Sequence, residues 1–162
     1  MGIETNLKNT SLTIRSPGKS ELSQLTPGEL APDEVRIKVM ASGICGTDVH
    51  IFEGDYMGGY PVIPGHEFSG TVEAVGSKVT RVSRGDTVAV ETNIACDNCS
   101  ACLQNRQNFC ENWSAVGVTR AGGMAKYVEV PEKAVFSIGT LSFSAGAFME
   151  PLSCVLHGME KT

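Results

Sequence analysis

Nowhere in the chain do about 18 apolar residues run together, the length a membrane-spanning helix needs, so a transmembrane helix is excluded. Basic charge is in deficit as well: 13 Lys+Arg stand against 18 Asp+Glu, a formal charge of −5. Such a surface does not track the phosphates of DNA, RNA or an anionic membrane, and neither nucleic acid nor membrane is expected as a partner. The opening residues Met1-Gly2-Ile3-Glu4-Thr5-Asn6 carry an early acid and no apolar run, which does not read as a secretory signal, and Asn6 breaks the myristoylation pattern. A cytoplasmic chain is the expectation. Internal repeats and low-complexity tracts are also lacking.

What is present suits one ordinary domain. A chain of 162 residues buries roughly 70% of its unfolded surface and needs no disulfide scaffold. Glycine supplies 18 residues, which favours many turns and short strands over long helices. In Glu34 to Ala41, Val35, Ile37 and Val39 alternate with charges, the period-two mark of a half-buried strand. Ser11 to Arg15, Phe68 to Val75, Thr87 to Val90 and Ala125 to Val130 are further strand candidates, punctuated by Pro27-Gly28, Gly76, Gly85 and Pro131. Helical signal is limited to a piece after Thr47 and a C-terminal helix with Pro151 as its first residue and Glu150 as a possible cap. The pattern predicts a mainly β, barrel-like or sandwich domain. No strand follows that last helix, so the architecture is expected to continue beyond Thr162.

The segment Cys96-x2-Cys99-x2-Cys102-x7-Cys110 is polar and short of apolar residues, so hydrophobic burial cannot hold it. Four thiolates satisfy tetrahedral zinc, and two-residue spacers let tight turns present successive sulfurs to one point. Two disulfides are the alternative, disfavoured by a reducing compartment. A structural zinc on Cys96, Cys99, Cys102 and Cys110 is expected, its surplus negative charge offset by backbone N–H groups and Arg106.

Two glycine-rich clusters also carry metal-binding side chains: Gly43-Ile44-Cys45-Gly46-Thr47-Asp48-Val49-His50 and Gly65-His66-Glu67-Phe68-Ser69-Gly70. Taken singly, a cysteine in such a turn is as readily a buried small residue, and a His-Glu pair a surface pair. Taken with the four-cysteine segment, they resemble the zinc-dependent medium-chain alcohol and polyol dehydrogenases. The family signature Gly-His-Glu-x2-Gly-x5-Gly-x2-Val is matched by Gly65, His66, Glu67, Gly70, Gly76 and Val79.

That resemblance implies a chaperonin-10 (GroES)-like β-barrel catalytic domain over residues 1–150, with the zinc lobe inserted at 93–113. Residues 151–162 would begin the connection to a Rossmann domain that is not encoded here, since no Gly-x-Gly-x-x-Gly follows a strand. It implies two zinc ions per chain, NAD or NADP as hydride acceptor, and a homo-oligomer for the full-length protein. Cys45 and His66 would bind the catalytic zinc, with Glu67 and Glu150 competing for the third protein position. Charge counting favours one carboxylate, which with Cys45 thiolate and neutral His66 makes the Zn²⁺ site neutral overall. Asp48 would hydrogen-bond His66 and fix its tautomer. Thr47 and His50 match the family's proton relay. Glu150-Pro151-Leu152 resembles the sorbitol and sugar-alcohol branch and points to a polyol substrate. Cys154 and His157, three apart on the last helix, are read as packing or interdomain contacts rather than ligands. Trp113 receives no role. The rival reading is a stand-alone zinc-binding module without activity.

Overall fold

In the computed structural model, which describes residues 8–161, the strands are β1 (Asn9–Ser16), β2 (Lys19–Leu25), β3 (Glu34–Ser42), β4 (Phe68–Val75), β5 (Thr87–Val90), β6 (Asn93–Ile94), β7 (Ser114–Ala115), β8 (Tyr127–Pro131) and β9 (Val135–Ser137). The helices are α1 (Gly46–Glu53), α2 (Ser100–Leu103), α3 (Phe143–Ala147) and α4 (Met149–Met159). The N-terminal hexapeptide and Thr162 lie outside the described residues. Among the described residues no helix is long and apolar enough to cross a membrane.

A five-stranded antiparallel sheet in the order β8-β3-β4-β5-β9 carries the core. Its strands are rich in valine and isoleucine, whose branched side chains pack well on a pleated face. Val35, Ile37, Phe68, Val72, Val88, Val116 and Val130 are almost wholly buried there. The hairpin of β1 and β2 is tied across by bridges from Ser11 to Ala125 and from Ile14 to Val62.

One pairing positions the chemistry. Because β3 and β4 run antiparallel with Ser42 opposite Phe68, the loop leaving β3 and the loop entering β4 emerge at the same end of the sheet. Those loops carry Cys45 and His66-Glu67. The register shifts between Val39 and Ala41, opposite Gly70, where a Cβ would overlap the carbonyl oxygen of Lys38. Glycine at 70 therefore permits the strand approach on which the site's geometry depends.

Several sequence expectations need correction. The alternation of β3 places Arg36 on the charged side, yet Arg36 is buried, with its guanidinium on Glu129 at 2.6 and 2.8 Å and on the Gly28 carbonyl at 2.5 Å. Helix α4 begins at Met149 rather than at Pro151. Phe148 occupies its cap position without a side-chain bond, so Glu150 sits inside the first turn and is not a cap. Strands β2, β6, β7 and β9 and helices α2 and α3 have no counterpart among the expected elements. Of these, β2 is polar and largely exposed, and α3 is announced only by the Ser142 hydroxyl accepting from Ala145 N at 3.2 Å.

Candidate metal centres

The lobe leaves the barrel through β6 and returns through β7, which pair with each other. Within it the four cysteines cluster with little else than Ala95 and Ala101 for apolar company. Four Zn–S bonds of about 2.3 Å in a tetrahedron separate the sulfurs by about 3.8 Å. The sulfurs of Cys99 and Cys102 lie 3.5 Å apart, those of Cys99 and Cys110 3.9 Å, and those of Cys96 and Cys102 4.0 Å. All four are free thiols at spacings far beyond the roughly 2.05 Å of a disulfide, and they fit the metal.

Backbone donors tune the lobe. The N–H groups of Cys102 and Glu111 bring Cys99 down to about 6, and those of Asn98 and Cys99 lower Cys96. Burial, reinforced by the neighbouring sulfurs, pushes Cys102 up to about 12. Opposite shifts among touching thiols are what negative charge crowded into one small space produces, and a divalent cation relieves that crowding. The guanidinium of Arg106 bonds the Gln104 side chain at 2.7 Å, and among the described residues no hydrogen bond joins it to a cysteine sulfur. Lys133 instead reaches the lobe, donating to the Ala95 carbonyl and to Asp97.

At the second centre, Cys45 ends the β3 loop just before α1, and His66 and Glu67 precede β4. Each offers one ligand atom, and the three atoms lie within 4.8 Å of one another. Three protein donors of S, N and O type match zinc that keeps a fourth position for water or substrate. Close packing enforces the grouping. Gly43 N donates to the Glu67 carbonyl at 2.7 Å, and a Cβ at position 43 would overlap the Glu67 carboxylate.

Asp48, buried in the first turn of α1, grips both ligand loops. One carboxylate oxygen accepts from Cys45 N and the other from Gly65 N, both at 2.9 Å. Its expected hydrogen bond to His66 is a correction: Nδ1 stands 3.7 Å from the carboxylate, an ion-pair distance too long for a hydrogen bond, and is buried with no hydrogen-bond partner. The adjacent Asp48 carboxylate nonetheless raises His66 to about 9 against the opposing effect of burial. Burial would raise Asp48, but the imidazole and the two backbone N–H groups together hold it below its usual value.

Of the two competing carboxylates, the structure brings Glu67 to Cys45 and His66, and Glu150 is outside that group. Half-buried at the start of α4, Glu150 faces the Cys154 thiol at 3.6 Å. Thr47 is half-buried one helical turn before His50, which is exposed with Nδ1 3.0 Å from Asp55, and no hydrogen bond joins Thr47 to His50. Cys154 and His157 are exposed, so the packing role expected for them is not found within the described residues. They line a cleft of about 870 Å³ between the lobe and α4, which Trp113 also borders. Sequence reasoning missed Thr92, whose buried hydroxyl donates to the His66 carbonyl at 3.2 Å. It also missed Asp55. Neither stands in a motif; the fold brings Thr92 to the His66 loop, and Asp55 lies just past the end of α1, five residues from His50.

Comparison with known proteins agrees with this geometry. The family model described as the alcohol dehydrogenase GroES-like domain matches residues 31–140. The chain is 38% identical over 144 residues to D-altritol 5-dehydrogenase of Agrobacterium fabrum, covering 88% of this chain and 43% of that protein. Galactitol-1-phosphate dehydrogenase from Escherichia coli superposes with a TM-score of 0.87 at 35% identity, over 91% of this chain and 43% of that one. A Sinorhizobium meliloti 1021 protein whose structure holds NADP gives a TM-score of 0.92 at 39% identity, over 97% and 46%. The chain thus spans less than half the length of these relatives. On this match and these relatives, the chain belongs to the alcohol dehydrogenase GroES-like domain family, in the zinc-dependent medium-chain group that includes polyol dehydrogenases.

Proposed function

We propose that this chain supplies the zinc-carrying, substrate-facing part of a dehydrogenase that moves hydride between a polyol or sugar alcohol and NAD or NADP. The observation that carries the reading is the convergence of Cys45, His66 and Glu67, three donors of mixed type from two loops gripped by one buried carboxylate. Zinc held there would act as a Lewis acid on a substrate hydroxyl, and the nicotinamide would accept the hydride.

The chain's own residues supply the rest. Asp48 fixes the spacing of the ligand loops, and Thr92 anchors the His66 backbone from behind. Thr47 would take the alcohol proton and His50, exposed on the same helix, would release one to solvent, the nucleotide ribose linking the two side chains, which share no hydrogen bond of their own. The four-cysteine lobe holds its zinc for structure, with no position left for substrate. Residues 1–150 are the catalytic domain and 151–162 the start of its connection to a nucleotide-binding partner domain. The relatives' polyol names and the Glu150-Pro151-Leu152 run support a polyol substrate, the six unpaired cysteines a cytoplasmic setting, and the family resemblance alone a homo-oligomer.

Metal analysis of protein purified without chelators should return two zinc ions per chain, and only one for Cys45→Ser. A protein containing this domain together with its nucleotide domain should reduce NAD(P)⁺ faster with polyols than with ethanol. One zinc in the unmutated chain would overturn the two-centre reading, and ethanol outperforming every polyol would overturn the substrate class.

A further inference from the structure

The cleft of about 870 Å³ between the lobe and α4 is within the size range of small-molecule sites. Trp113, the only tryptophan in the chain, stands 41% exposed on its wall. Around it are Glu91, Asn93, Gln107 and Asn108, whose side chains make no hydrogen bond within the protein among the described residues. A smaller cleft of about 330 Å³ that contains Glu150 adjoins it, and the two share Glu91, Asn93, Ser153 and Cys154 on their walls. Together they line the surface from Glu150 to the indole.

An exposed indole offers an apolar face for C–H groups, and unpaired amides and carboxylates both donate to and accept from hydroxyls. A chain bearing a hydroxyl on every carbon presents both features along its length. The charge of the groove decides which polyol. Glu91, Asp97 and Glu150 are acidic, and the lysine that borders them, Lys133, already holds Asp97 at 2.5 Å and the Ala95 carbonyl. A phosphate carrying nearly two negative charges would meet three carboxylates there, no uncommitted lysine or arginine, and His157 as the one remaining basic side chain on the wall among the described residues.

We propose that this groove binds the distal part of an unphosphorylated polyol and discriminates against polyol phosphates. The proposal rests on the polyol reading above and refines it, because the relatives include both a free-polyol and a polyol-phosphate dehydrogenase.

Trp113 is its own reporter. Its emission in the zinc-loaded full chain should be followed at mildly alkaline pH while galactitol, galactitol 1-phosphate or ethylene glycol is added. Galactitol should give a saturable change in the millimolar range, ethylene glycol none, and the phosphate a midpoint at least about fivefold higher. Asn108→Ala should raise the galactitol midpoint about fivefold, the factor that one ordinary hydrogen bond is worth. Glu91→Gln should narrow the gap between galactitol and its phosphate, and both variants should keep the zinc content of the parent. A linear or absent response to galactitol, equal or tighter binding of the phosphate, or variants indistinguishable from the parent would overturn the proposal. Zinc analysis of the same samples reports on the Cys45 centre separately, so the groove can fail while the dehydrogenase reading stands.

Discussion

In the lobe the cysteines are themselves the core, whereas at Cys45 a valine-rich sheet exists whether or not the ligands are filled. Between β6 and β7 the chain buries little that is apolar apart from its cysteines and Ala101, leaving Leu103, Phe109 and Trp113 exposed, and its four sulfurs come from one short stretch with their charge checked mainly by backbone N–H groups. The Cys45 centre draws on two loops brought together by the β3–β4 register and gripped by Asp48 before any ion arrives. The same element can thus be a folding determinant in one region and a guest in a finished site in the other.

The sharpest way to break this contrast is to remove one sulfur from each region. Cys99→Ser should cost on the order of 5 kcal/mol, or prevent recovery of folded protein, because lobe zinc supplies folding energy directly. Cys45→Ser should cost about 1 kcal/mol or less while emptying its own centre. Thermal melts paired with metal analysis decide the matter, and equal losses would abolish the distinction.

Next in size is Asp48→Asn, which leaves one carbonyl oxygen where two carboxylate oxygens received Cys45 N and Gly65 N. Zinc affinity at the Cys45 centre should fall by about 10- to 100-fold with the lobe's unchanged, as read by competition with a chelator.

Acidity offers a gentler test. In metal-stripped protein, His66 is raised from 6.5 to about 9 by Asp48, so its contribution to stability is complete below 6.5 and lost as pH climbs through about 9. Asp48, lowered from 3.8, contributes above that value and loses its contribution as pH falls further. Zinc must expel the His66 proton, so affinity at the Cys45 centre should rise by about tenfold per pH unit on the approach to 9 for that proton alone. A pH-independent affinity would show that His66 is not a ligand.

The smallest effects should separate the two carboxylates. Glu67→Gln should lower occupancy of the Cys45 centre, whereas Glu150→Gln should leave metal content unchanged and stability within about 0.5 kcal/mol. Metal analysis showing the reverse would move the third ligand position to α4.

Much of this was legible before folding. Regular alternation marks β3, β-rich stretches set off by glycine turns mark β4 and β5, and cysteine spacing marks the lobe, because each signal lies within a few residues. The signature glycines could be read for a geometric reason, since Gly70 and Gly76 are each approached by a backbone carbonyl, from Lys38 and Ala31. What escaped depended on distant partners. Arg36 is buried because Glu129 and Gly28 meet it, and β2 forms on backbone pairing with β1 despite polar side chains. The grip of Asp48 on Gly65 and the bond from Thr92 to His66 join segments with no local signal in common. The choice between Glu67 and Glu150 as neighbour of Cys45 was open for the same reason.

The narrow neck of the lobe has a consequence for how such a domain can vary. Because β6 and β7 pair directly, Asn93 opposite Ala115 and Ile94 opposite Ser114, the excursion between them begins and ends at one point of the barrel. Lengthening or shortening a segment whose ends are already joined changes the closure entropy only slowly with length. The lobe is therefore a cassette: chains sharing this barrel can carry a long metal-stapled version, a short turn, or a lobe remodelled to suit another surface, while the β3–β4 register that frames Cys45 stays as it is.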